Sequence, residues 1–248
     1  MSKKFEMNIT RHIPNTITSM NLLCGVLGVI CVFSGESDTA FLLMLLAAVC
    51  DFFDGFSARA LKAYSAIGKE LDSLADLVSF GLLPSLMLHR MMTVLSPEAG
   101  LLCYLPLLIV VASALRLAKF NTDDRQSENF LGLATPACAM ICGSMTYYIM
   151  KDSDSFLTVW ASGRIFIPLV SIMLSALMVC ELPMFSMKVR KGSQKNTPLY
   201  RMRISFIGTM VVSAVLVLLL GLNWSMIVLL VFVLYIIINV IGVLTTKK

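Results

Sequence analysis

Charge is scarce in this sequence. Of its 248 residues, 14% are Asp, Glu, Lys or Arg and 58% are hydrophobic. A water-soluble domain carries roughly a quarter charged residues, because its surface faces water. A soluble globular chain is therefore excluded. Histidine is scarcer still. His12 and His89 are the only two and lie far apart in the chain, which argues against a zinc site. Cysteine occurs at Cys24, Cys31, Cys50, Cys103, Cys138, Cys142 and Cys180, an odd count with no CxxC pair, mostly inside apolar runs. These read as small buried hydrophobes rather than a disulfide framework. No internal repeat, low-complexity tract or domain linker divides the chain, so 1–248 reads as a single membrane-embedded domain. No small-residue cleavage site follows the first apolar run, which ends at Gly35-Glu36-Ser37-Asp38. That run is expected to remain as the first span.

What the sequence has instead is long apolar runs. They predict an all-α, polytopic transmembrane helical bundle of about eight spans, near 15–34, 39–62, 70–95, 99–119, 134–150, 164–184, 204–221 and 224–244. Each is about 17 to 26 residues, enough to cross a hydrocarbon layer of roughly 30 Å at 1.5 Å per residue. Pro14 fits the start of the first helix, with Thr10 or Asn15 as its cap. The last two runs are joined only by 221–223, as in a helical hairpin over about 204–244.

Basic residues orient the bundle. With the N-terminus in the cytoplasm, Lys3, Lys4, Arg11, Arg59, Lys62, Lys69, Arg116, Lys119, Arg125, Lys188, Arg190, Lys191, Lys195, Arg201, Arg203, Lys247 and Lys248 fall on the cytoplasmic side. Only Arg90, Lys151 and Arg164 fall outside. The asymmetry supports an even span count and cytoplasmic termini. It also accounts for the net charge of +5 without nucleic acid as a partner. The expected location is a bacterial cytoplasmic membrane.

Against this background four carboxylates stand out. Asp51 and Asp54 lie three apart near the cytoplasmic end of the second span, and Asp72 and Asp76 lie four apart on the third. Each pair shares one helix face. Tyr64, Ser65 and Gly68 turn the chain between them, so the two faces can meet. A carboxylate at the end of an apolar helix is costly to desolvate, and four together repel strongly. A divalent cation relieves that repulsion, and oxygen-only ligands suit a hard ion such as Mg²⁺ or Mn²⁺, which also holds substrate phosphates. Gly55 and Ala58 leave room beside the backbone, and Arg59 offers a fork of donors to a phosphate. Simple pairing with Arg59, Lys62 and Lys69 does not account for the group, since four carboxylates exceed three cations.

The pattern D-x2-D-G-x2-A-R-x8-G-x3-D-x3-D, filled by Asp51, Asp54, Gly55, Ala58, Arg59, Gly68, Asp72 and Asp76, resembles the signature of the CDP-alcohol phosphotransferases. The resemblance covers a six-helix core of about 11–185. It implies two metal ions held by the four aspartates, with Asp76 as general base. It implies a CDP-lipid pocket using Asn15, Thr18, Gly55, Ala58, Arg59, Ser65 and Gly68, and often a homodimer. Two further segments are similar to the phosphatidylserine synthase branch. They are Arg11 to Thr18 with Asn21-Leu22, and Arg116-Leu117-Ala118-Lys119-Phe120-Asn121 followed by Gly132-Leu133-Ala134-Thr135-Pro136-Ala137. Ala134 departs from the proline more usual there.

The resemblance implies transfer of a phosphatidyl group from CDP-diacylglycerol to L-serine, giving phosphatidylserine and CMP. Serine carries a carboxylate, so its pocket calls for a cation. Arg116, with Asn121 about one turn on, is the expected grip, and Lys119 is a further candidate. Arg116 and Lys119 also fit interface anchors. Two alternatives stay open: a phosphatidylglycerophosphate synthase using glycerol 3-phosphate or another CDP-alcohol phosphotransferase, and an ion transporter using the acidic residues as its path. Carboxylates at one membrane face, with no paired broken helices, argue against transport.

Overall fold

The structure, a computed structural model, describes residues 2–122, 130–184 and 198–246, with side chains described over 12–122, 131–184 and 206–242. Helices follow the apolar runs. α1 covers Ser2–Phe33, α2 Ser37–Ala60 and α3 Ala66–Asp76. A π-helical turn, Leu77–Leu82, carries α3 into α4 (Leu83–Leu95). A 3₁₀ segment, Pro97–Leu107, leads into α5 (Leu108–Thr122). Then come α6 (Thr135–Lys151), the short α7 (Phe156–Ala161) and α8 (Phe166–Val179). α9 (Pro198–Leu219) and α10 (Ser225–Thr246) follow. Among the described residues, the one sheet pairs β1 (Phe130–Leu131) antiparallel with β2 (Pro183–Met184).

Among the described residues, five stretches are long and apolar enough to cross a membrane: His12–Phe33, Ser37–Ala60, Ala66–Leu95, Pro97–Thr122 and Ser225–Gly242. α6, α8 and α9 occupy the other three expected spans. α8 and the Phe206–Leu219 part of α9 are apolar but shorter. Leu101, Ile67 and Leu218 expose three quarters or more of their surface. Apolar surface turned outward along helices is what a lipid solvent requires, because helices satisfy their own backbone groups. The chain is a multi-pass helical bundle.

Three boundaries differ from expectation. α1 begins at Ser2, so Pro14 lies inside it and neither Thr10 nor Asn15 caps it. Proline costs an interior helix one backbone bond, and the chain continues through it here. The Pro14 carbonyl accepts from the Thr18 hydroxyl at 3.0 Å. α8 stops at Val179 rather than near 184, because the chain leaves the helix to form β2. α9 starts at Pro198, six residues before the span expected near 204–221. Lys3, Lys4, Arg11, Arg125, Lys188, Arg190, Lys191, Lys195, Arg201, Arg203, Lys247 and Lys248, on which orientation largely rests, lie outside the residues whose side chains are described.

Small residues let the helices approach closely, the usual packing device in a lipid solvent. A Cβ on Gly25 of α1 would sit 2.4 Å from Ser79 Oγ, and one on Gly143 of α6 would sit 2.7 Å from Phe41 Cδ2 of α2. Hydroxyls inside apolar helices bond back to their own helix, as Thr146 does to Cys142 and Ser171 to Ile167. One core cluster joins α4, α5, α6, α8 and α10, and a second joins α1, α2, α4 and α6. α6 belongs to both and is buried along most of its length. The ends of the bundle differ in charge. Lys151 pairs with Asp38 and Arg164 with Glu98 at one end. Sixteen residues along α2 from Asp38, about 24 Å at 1.5 Å per residue, Asp54 marks the other end.

Candidate active site

α2 and α3 bring the aspartates together. After α2 the chain reverses through Lys62, whose φ of 51° is the one positive value among described non-glycine residues. Ser65 then caps α3, its hydroxyl accepting from Gly68 N at 2.9 Å. That cap satisfies an otherwise orphaned donor of the first turn and fixes the entry angle of α3.

One oxygen from each of Asp51, Asp72 and Asp76 lies within 4.8 Å of the others. Asp54, on the same helix as Asp51, is turned instead to α1, where Thr18 Oγ1 donates to its Oδ2 at 2.7 Å. Ion pairs among the described residues are Lys119–Glu181, Lys151–Asp38 and Arg164–Glu98, and none reaches the cluster. Lys69 bonds the Asn121 carbonyl at 3.0 Å rather than an aspartate. The Oδ1 atom of Asp72 is buried without a hydrogen-bond partner. Converging carboxylates with no ion pair among the described residues and one orphaned oxygen fit a hard divalent cation.

α1 presents a polar stripe to this group at three-residue spacing. Asn15 reaches the turn before α3, where a Cβ on Gly68 would lie 2.9 Å from both Asn15 Oδ1 and Ser65 Oγ. Thr18 holds Asp54. Asn21, fully buried, donates from Nδ2 to Asp76 Oδ1 at 3.3 Å. Ser79 Oγ donates to the Asn21 carbonyl at 3.0 Å and ties α1 to the π turn. Sequence reasoning did not single out Asn21 as a site residue. Its place one helical turn beyond Thr18 was the available signal.

A cavity of about 590 Å³ opens beside the aspartates between α1, α2 and α3. All seven residues expected to hold the CDP-lipid line it: Asn15, Thr18, Gly55, Ala58, Arg59, Ser65 and Gly68. So do Asp54 and Asp72, together with Tyr64, expected only in the turn, and Lys69, expected only as a possible ion-pair partner. Arg59 arches over Gly55, where a Cβ would stand 3.6 Å from its Nη1.

Of the three expected acceptor residues, Arg116 and Lys119 share a cavity and Asn121 does not. Arg116 is buried, its Nη1 donating to Thr135 Oγ1 at 3.1 Å and its Nε without a partner. Asp76 and Tyr235 of α10 both lie within its electrostatic reach. Lys119 pairs with Glu181 at 2.7 Å. Asn121 donates to Ser73 Oγ at 2.9 Å, tying the end of α5 to α3. Arg116 and Lys119 line a second cavity of about 250 Å³ with Leu115, Leu131, Met178, Val179 and Cys180. Asn121 does not line it.

The family model described as CDP-alcohol phosphatidyltransferase matches residues 11–178. The chain belongs to the CDP-alcohol phosphatidyltransferase family. It is thus a membrane-embedded transferase, and the ion-transport alternative falls away. The chain is similar to a CDP-diacylglycerol–serine O-phosphatidyltransferase of Bacillus subtilis, 38% identical over 138 residues, 55% of this chain and 77% of that one. It is similar to a protein of the same name from Mycobacterium leprae, 30% identical over 188 residues, 71% of this chain and 58% of that one. An archaetidylserine synthase of Methanothermobacter thermautotrophicus is 29% identical over 160 residues, 60% of this chain and 65% of that one. The family match stops short of Glu181, α9 and α10.

Proposed function

We propose that this family member transfers the phosphatidyl group of CDP-diacylglycerol to the hydroxyl of L-serine, forming phosphatidylserine and CMP. The convergence of Asp51, Asp72 and Asp76 at the edge of the larger cavity carries the reading. The names of the relatives and a buried, incompletely bonded Arg116 support serine as the acceptor.

Asp51, Asp72 and Asp76, with Asp54 beside them, would hold two Mg²⁺ or Mn²⁺ ions. Such ions offset the charge of carboxylates and diphosphate and polarise the phosphorus that is attacked. Arg59, Asn15, Ser65 and the open faces of Gly55, Ala58 and Gly68 orient the CDP moiety. Thr18 keeps Asp54 in place. Arg116 grips the serine carboxylate, and Asn121 braces the end of α5 against Ser73. Asp76 takes the proton from the serine hydroxyl as its oxygen bonds the lipid-side phosphorus. The bond from that phosphorus to the CMP oxygen breaks, and CMP leaves with the electron pair. Positioning and charge stabilisation supply most of the acceleration. The aspartates and both cavities are read as facing the cytoplasm of a bacterium, in a protein that pairs as a homodimer.

Purified protein supplied with CDP-diacylglycerol and Mn²⁺ should release CMP with serine and not with glycerol 3-phosphate. Release with glycerol 3-phosphate alone assigns the competing acceptor. Chelation of the metal should stop release, and Mn²⁺ should restore it.

Two substitutions sharpen the roles. Arg116→Lys swaps a planar fork for a point charge. The KM for serine should rise about tenfold, the loss of one charged hydrogen bond, while that for CDP-diacylglycerol stays within about twofold. Equal changes in both would remove Arg116 from the acceptor. Asn21→Ala strips Asp76 of its donor. The Mn²⁺ concentration for half-maximal rate should rise about tenfold, as when groups supporting metal ligands are lost. An unchanged metal requirement would make Asn21 purely a packing residue.

A further inference from the structure

We infer that Glu181, held by Lys119 at the rim of the smaller cavity, recognises the ammonium group of a zwitterionic acceptor and selects for it. This rests on serine as the acceptor. The cavity of about 250 Å³ suits a small molecule, and its charged lining residues, Arg116 and Lys119, are both cations. Arg116 is 9% exposed and its Nε has no partner. A buried guanidinium with an unused donor at a cavity wall calls for an anion, and a carboxylate supplies one. Cations alone, however, would favour a simple hydroxy acid or a phosphate as strongly as an amino acid. Selection for a zwitterion needs an anion on the same rim.

Glu181 is placed to be that anion. Its Oε1 lies 2.7 Å from Lys119 Nζ, and it directly follows Cys180 of the cavity lining. The pair is partly exposed, with side chains 39% and 60% accessible, so it adds little to stability. Its backbone is nevertheless fixed. Gly132 N donates to the Leu182 carbonyl at 2.9 Å, and Leu131 pairs with Pro183 across the β1–β2 ladder. This short ladder holds the segment after α8 against the start of α6, and Glu181 with it.

The exchange conserves charge. An arriving substrate ammonium replaces the Lys119 ammonium on Glu181. Lys119 then turns to the substrate carboxylate beside Arg116. A dianionic acceptor would meet the same carboxylate as a repulsion.

The test uses full-length protein in mixed micelles with CDP-diacylglycerol and Mn²⁺, read by CMP release. The probes are serine as substrate and 3-hydroxypropionate, which lacks the ammonium, as competitive inhibitor. Glu181→Gln should raise the serine KM about fivefold, the scale of one partly exposed ion pair. It should leave the inhibition constant of 3-hydroxypropionate and the KM for CDP-diacylglycerol unchanged. Lys119→Met, which removes this ion pair and keeps the Glu181 carboxylate, should keep the preference for serine over 3-hydroxypropionate. If Glu181→Gln weakens both compounds alike, or Lys119→Met erases the preference in step with it, the pair is only a latch and the inference fails. An unchanged serine KM in Glu181→Gln, alongside a raised one in Arg116→Lys, overturns the inference and leaves the serine reading standing. Wild-type protein that uses glycerol 3-phosphate and refuses serine overturns both.

Discussion

Asp76→Asn should reduce CMP release at least about a thousandfold, combining loss of a general base, typically 10²–10⁴, with loss of a charged cation ligand. The substitution is isosteric. The amide oxygen can still accept from Asn21, which reaches Asp76 Oδ1 at 3.3 Å in the native chain. Asp76 is buried at the end of α3, and a neutral amide in its place removes like-charge repulsion from the cluster. The fold should therefore persist, with unchanged helical circular dichroism. Asp51→Asn makes the informative partner. Asp51 is expected to act only in cation binding, so excess Mn²⁺ should restore much of its activity and little of that of Asp76→Asn. A residual rate in Asp76→Asn within about tenfold of wild type would place the base elsewhere.

The second large effect concerns stability. Gly132→Ala should destabilise the bundle by about 3 kcal/mol or more, through backbone strain and a clash that rigid atoms cannot relieve. Gly132 has φ of 74°, in the left-handed region. A Cβ there would lie 2.6 Å from the Met178 carbonyl oxygen, 2.8 Å from that of Cys180 and 3.1 Å from that of Leu177. These are backbone atoms at the C-terminal end of α8. The same stretch satisfies that end, since Leu133 N donates to the Leu177 carbonyl at 2.8 Å. Gly100 is the control. Its φ of 58° is also positive, but a Cβ there meets nothing within 4 Å. Gly100→Ala should lose only the conformational term, about 1–3 kcal/mol, because its ψ of −127° lies in a sparsely populated region. Thermal unfolding in detergent separates the two. Equal losses would mean that the α8 carbonyls yield to the added methyl.

Much of this was legible in the sequence, and the exceptions have a common cause. Helices were readable because apolar runs report local burial in lipid. The cavity residues from Asn15 to Gly68 were readable because a fixed register on two neighbouring helices places them together. Periodicity describes one helix at a time and says nothing of which face meets a distant partner. Asn21 meets Asp76 across 55 positions, and Lys119 meets Glu181 across 62. The same limit hid the division among the four aspartates, because Thr18 of α1 draws Asp54 away from the other three. Gly132 was visible as part of a motif, but its reason, three carbonyls from α8, needed the β1–β2 contact. Ends of helices were readable only where the apolar run itself ended. α8 stops before its run does, and α1 continues upstream through a proline.

The wide turn at Leu77–Leu82 has a consequence for how the third span serves two masters. Upstream, Asp72 and Asp76 must face the other carboxylates. Downstream, Leu83, Met87 and Leu88 must face the interior. An uninterrupted α-helix would lock these two phases together, so that improving one would misalign the other. A turn that takes up an extra residue shifts the phase by about 100° and acts as a coupling with slip between them. The carboxylate-bearing half and the core-packing half of one rod can then each be tuned without dragging the other around.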